Sequence, residues 1–198
     1  MPVYTKEDIA RAEIHAAIRI FVQMEDLISA HVLASAAAEV GDAIAREDGK
    51  PTLFQQMLDS IRPEFKRTFR DLHNKAYNAF KHADRDAEQA VELKAEQVEL
   101  AIFLAIENFA LAFGFKKQSV QMLLLRSWFW VRYPEFLEKP LKGADALKEF
   151  FGDVRGKPTA EAVIQIRRML QTAEGDKTLL AAMNAMMQQQ MTAVGRDG

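Results

Sequence analysis

Wherever this chain runs long without glycine or proline, its apolar residues recur at spacings of three and four, and no segment alternates apolar with polar residues. That spacing gathers apolar side chains on one face of an α-helix, whereas a strand needs a period of two. The nine Gly and six Pro fall mostly between these runs, where they end helices rather than weaken them. The expected fold is therefore all-α. An antiparallel bundle of about six helices should occupy residues 5–138, with a helical extension or small subdomain over 139–198 that frays at its C-terminus.

Local signals place the elements. Thr5 is positioned to cap a first helix over about Asp8–Met24, with Ile9, Ile14, Ala17, Ile18 and Phe21 as its core stripe. Asp26 caps a second helix running to about Arg46, and Pro51 suits the first turn of a short third one ending near Ile61. Pro63 opens a fourth helix, in which Phe65, Phe69, Leu72, Ala76, Ala79 and Ala83 form an apolar seam. This helix stops near His82, and Ala83–Asp86 turns the chain into a fifth that ends at Gly114. A sixth spans about Gln118–Arg132. After Pro134 the chain is cut into short pieces, and helices follow over about Thr159–Thr172 and Asp176–Gln190.

Composition narrows the classes of function. With 49% hydrophobic and 27% charged residues the chain of 198 residues has the make-up of a folded protein. Its formal net charge of −2 gives no global attraction to nucleic acid or anionic membrane, so any basic surface has to be local. Cysteine is absent, which removes disulfides, thiolate metal sites and cysteine nucleophiles. The N-terminus lacks a basic segment followed by an apolar core, and the apolar stretches Ala101–Phe115 and Val120–Val131 are short and interrupted by Glu107, Asn108 and Arg126. A membrane span needs about 20 mostly apolar residues. These features lead us to expect a cytoplasmic protein with no membrane partner. The glycine-rich and catalytic motifs of nucleotide-dependent enzymes and common hydrolases are missing, so no cofactor, and in particular no nucleotide cofactor, is expected.

The most unusual chemistry lies between Asn74 and Asp86. Arg70, Asn74, Asn78 and His82 recur every fourth residue, making a polar stripe beside the apolar seam, and Lys81, Asp84, Arg85 and Asp86 follow at the helix end. A structural role is available to all of them, since Asn and His can satisfy terminal carbonyls and Asp86 can cap the next helix. A functional role would have His82 exchange a proton while Asn78 orients a phosphate, with His31 of the second helix completing the site. His82, Asp84 and Asp86 could be joined by His15, His31 or His73 around a metal, but no Glu-x-x-His pair is present and no metal is expected. Residues 62–86 carry Arg62, Lys66, Arg67, Arg70, Lys75, Lys81 and Arg85 against four acids. Glu88, Glu92, Glu96 and Glu99 read as a complementary acidic stripe on the fifth helix. Trp128, Phe129, Trp130 and Tyr133 read mainly as core, and Met183, Met186, Met187 and Met191 as a soft stripe on the last helix.

Ser29-Ala-His-Val-Leu-Ala-Ser-Ala-Ala, Asn78-Ala-Phe-Lys-His-Ala-Asp-Arg-Asp and Trp128-Phe-Trp-Val-Arg-Tyr-Pro-Glu together resemble the signatures of a family of uncharacterised bacterial all-helical proteins, over roughly residues 8–138. Asn78-x-x-x-His82 is also similar to the motif of HEPN-type helical bundles, which include dimeric toxin and antiphage ribonucleases. That resemblance implies a HEPN-like bundle, RNA as partner and a homodimer. Tyr77 stands where the catalytic members of that superfamily carry Arg, which places binding ahead of cleavage. Three expectations follow in order. The first is a binding or regulatory module acting on RNA. The second is a metal-independent endoribonuclease with His82, Asn78 and Arg70 as catalytic candidates, and the third a protein–protein adaptor using the Met-rich C-terminal helix.

Overall fold

A computed structural model of the chain describes residues 1–49, 52–71, 92–136 and 144–175, and within them every regular element is helical, as the apolar spacing predicts. The first helix, α1 (Lys6–Gln23), begins at Thr5, whose hydroxyl accepts from the Asp8 N–H (3.1 Å) while the Asp8 carboxylate accepts from the Thr5 N–H (2.9 Å). These reciprocal bonds satisfy two donors at the helix start. Asp26 caps α2 (Leu27–Glu47) by accepting from the Ser29 N–H (3.0 Å). Then come α3 (Leu53–Ser60), α4 (helical over 63–71), α5 (Ala95–Phe113), α6 (Val120–Arg132), α7 (Ala144–Phe151) and α8 (Thr159–Gly175).

Helix α5 is the centre of the molecule. Every residue from Gln97 to Ala110 is buried, which is why its sequence is apolar nearly all round. One side of it, with Val98, Ala101, Ile102, Ala105, Ile106 and Phe109, meets α1, α2 and α6 in the main core. The other side, with Leu100, Phe103 and Leu104, packs on Leu58, Ile61 and Phe69 of the α3–α4 arm and on Phe129 and Phe136. Phe103 and Phe129 stack with centroids 4.1 Å apart, and Phe69 meets Phe136 edge-on at 6.4 Å. Trp128 and Phe129 are thus core residues, with Trp130 and Tyr133 packed beside them.

Helix α2 carries a ladder of small residues, Ala30, Ala34, Ala37, Gly41 and Ala45, and lies against both α1 and α5. Its length and mean hydropathy of 1.3 would also suit a membrane span by those two measures alone. Helices α7 and α8 add Leu147, Phe151, Val163, Ile166 and Leu170 to the main core, with Val154 between them, against α1 and α6.

Two local expectations need correction, and one short element is added. Ile9 does not join the core stripe and is 43% exposed; the buried face of α1 is Ala10, Ile14, Ala17, Ile18, Phe21 and Val22. Ile9 sits about 100° around the helix from Ala10, just past the edge of that face. Helix α5 starts at Ala95, with the Gln97 side chain accepting from the Lys94 N–H (2.8 Å), so Glu92 precedes the helix. Between Pro140 and Pro158, finally, the short helix α7 forms around Leu147 and Phe151.

Candidate functional site

Of the expected site residues, Asn74, Asn78, Lys81, His82, Asp84, Arg85 and Asp86 lie outside the described residues, as do His73 and the Met-rich segment after residue 175. Two are described. Arg70 is exposed on α4. His31 is 3% exposed and belongs to the buried stripe of α2, with Ser35 Oγ 3.3 Å from its Nδ1. Among the described residues no group of three or more His, Asp or Glu could hold a metal.

Helix α4 is docked by Phe69, wholly buried, and by the half-buried Phe65 one turn earlier. Arg67 lies about 200° around the helix from Phe65, and Arg70 about 100° from Phe69, so both stand in water. The Arg67 side chain is 93% exposed, and Asp71, itself largely exposed, lies 3.9 Å away. Such an exposed pair contributes little binding energy and leaves the cation open to other anions.

The acidic stripe expected on α5 is dismantled by the tertiary structure. Glu99 turns inward, away from solvent, and meets Arg132 of α6 in a buried ion pair, Nε to Oε2 2.9 Å. The same guanidinium donates to the Val154 carbonyl (3.1 Å) and to the Thr159 hydroxyl (3.0 Å). Tyr133 donates to Glu99 Oε2 (2.5 Å) and Thr159 to Oε1 (2.7 Å). Burial pushes the Glu99 carboxyl above its usual range, with Arg132 and the two hydroxyls pulling it back. Burial, reinforced by Glu99, drives the Tyr133 hydroxyl far up, which keeps it a donor. Glu99, Arg132 and Thr159 are all buried, so the network acts between helices. It joins α5, α6 and the start of α8, and the glutamate periodicity alone gave no sign of it.

A pocket of about 370 Å³ opens where α1, the start of α6 and α8 meet. Ile18, Val22 and Leu170 supply its apolar wall, and His15, Arg19 and Arg167 its cationic and imidazole groups. Gln23, Gln121 and Gln171 add to the polar lining, and among the described residues no Asp or Glu takes part. His15 Nε2 lies 2.8 Å from the hydroxyl of Ser119, which also accepts from the Met122 N–H (3.3 Å) as the cap of α6. Burial lowers the His15 pKa, and the charges of Arg11 and Arg19 lower it further. Arg167 Nε donates to the Val22 carbonyl (2.6 Å), which ties the end of α1 to α8. Residues 15, 18, 19, 22 and 23 share one face of α1 by spacing, but the matching face of α8 is brought to them only by folding.

No family model, curated protein or solved structure matches this chain.

Proposed function

We propose that the chain is a helical binding module for single-stranded RNA, with α4 and the polar segment that follows it as the contact surface. The observation that carries this is the placement of Arg67 and Arg70: α4 is anchored through Phe65 and Phe69, and its far side presents both guanidinium groups to water. Phosphate contacts are made by such solvent-facing cations, and binding by them falls with salt as counterions are released. The chain continues into Asn74, Lys75, Asn78, Lys81, His82 and Arg85, a run of donors and cations suited to a phosphate backbone and to base edges. Tyr77, at the position where a catalytic arginine would stand, favours binding over cleavage.

The test is fluorescence anisotropy with a labelled single-stranded RNA at several salt concentrations. Wild-type protein should bind, with affinity falling as salt rises. In the Arg67→Gln/Arg70→Gln variant, loss of two phosphate contacts should flatten the log–log salt slope by about 1.4, at about 0.7 per contact. Both positions are exposed, so the melting temperature should hold. Absence of RNA binding by the wild type, or an unchanged slope in the variant, overturns the proposal.

A further inference from the structure

We infer that the pocket between α1, α6 and α8 is a binding site for a small organic oxyanion, a phosphate ester or carboxylate with a compact apolar body. The inference is independent of the RNA proposal, because the pocket uses other helices and none of the residues of α4.

Its charge pattern comes first. Arg19 and Arg167 line the pocket, and among the described residues no Asp or Glu does. The only hydrogen bond that Arg167 makes among the described residues is from Nε to the Val22 carbonyl, which leaves the two Nη groups to donate elsewhere. A guanidinium held at Nε is oriented in advance, and its remaining donors match the paired oxygens of a phosphate or carboxylate. Among the described residues Arg19 forms no ion pair with a carboxylate. The first turn of α6, with Gln121 at its second position, adds the positive end of a helix dipole.

Shape and apolar lining then restrict the ligand. A volume of about 370 Å³ lies at the small end of the range for metabolite sites, about 300–1,000 Å³. Ile18, Val22 and Leu170 are buried and form a narrow apolar floor on which a compact apolar group can rest, while Gln23 and Gln171, both exposed, can pair with polar substituents in either direction. An inorganic anion alone would place nothing against that floor. A neutral apolar molecule would leave the arginines unused. The site therefore selects a molecule having both parts.

Phenyl phosphate, benzoate, inorganic phosphate and benzyl alcohol separate these contributions by isothermal titration calorimetry in a phosphate-free buffer. Phenyl phosphate or benzoate should bind saturably at one site and at least tenfold more tightly than inorganic phosphate or benzyl alcohol. Whichever of the two binds tighter identifies the oxyanion class. Arg19→Gln and Gln171→Glu change exposed residues, so both variants should melt like the wild type, and each should weaken binding of that probe tenfold or more. The His15 ring signals should shift on titration in the wild type. Failure of both phenyl phosphate and benzoate to bind, or affinities left unchanged by both substitutions, overturns the inference.

Discussion

Gly41 sits on α2 where an ideal Cβ would lie 2.7 Å from the Asn108 Cβ and 2.9 Å from the Asn108 backbone carbonyl. Inside a helix, replacing glycine by alanine usually stabilises by about 1 kcal/mol. Here the obstacle is backbone of α5, which cannot rotate away, and overpacking of this kind costs about 1–3 kcal/mol. The clash should win, so Gly41→Ala is expected to lower stability in urea unfolding even though it raises helix propensity. The neighbouring bond from Asn108 Nδ2 to the Ala38 carbonyl (3.1 Å) marks the same close approach of α2 and α5. His15 gives a second prediction at this scale. Its pKa is lowered in the folded chain, first by burial and then by Arg11 and Arg19, whereas in the unfolded chain it titrates near about 6.5. Above that pH both states are neutral and His15 contributes nothing to the pH dependence. As pH falls below about 6.5 the unfolded state takes up the proton first, so stability is lost until the folded pKa is passed. Glu13 and Asp42, both raised by burial, act in the opposite direction at lower pH. The decisive measurement is therefore the difference between wild type and His15→Gln, whose stability should fall less between pH 7 and 5.5.

At the scale of elements, the Glu99–Arg132 network holds three pieces of chain together. Arg132 ends α6, Glu99 comes from the first turns of α5, and Thr159 and Val154 lead into α8. The guanidinium cannot shed its charge, so removing the carboxylate leaves a buried cation without its counter-ion. Glu99→Gln should cost about 3–5 kcal/mol in chemical denaturation. Thr159→Ala removes hydroxyl contacts to both partners but keeps the ion pair, and should cost about 1–3 kcal/mol. If the two substitutions were equally mild, the network would be peripheral to stability. The second ion pair between α5 and α6, Glu107 with Arg126, is less deeply buried and should matter less.

Across the whole molecule, α7 and α8 share one core with α1 and α6. Phe151 is 1% exposed within it, and Trp128, fully buried beside Phe21, reports on the same interior. Phe151→Ala should therefore destabilise by about 3–5 kcal/mol. The loss should appear together in tryptophan fluorescence and far-ultraviolet circular dichroism; separate transitions would show α7 and α8 melting apart from the rest. The helical class, the caps at Thr5 and Asp26, the stop at Gly114, most of the buried face of α1 and the anchoring of α4 by Phe65 and Phe69 were legible in the sequence, because each depends on residues within a few positions of one another. The inward turn of Glu99 was not legible, because periodicity cannot distinguish an acidic residue facing water from one facing an arginine 33 positions later. Nor was the pocket, since His15 and Arg19 share a helix face by sequence but gain Arg167 only when α8 folds back across α1. The polar run from Asn74 to Asp86 was the most visible chemistry in the sequence and lies outside the described residues. Local order, then, was written in neighbouring residues. Which charges are buried, paired or left to face a ligand was decided by contacts between distant helices.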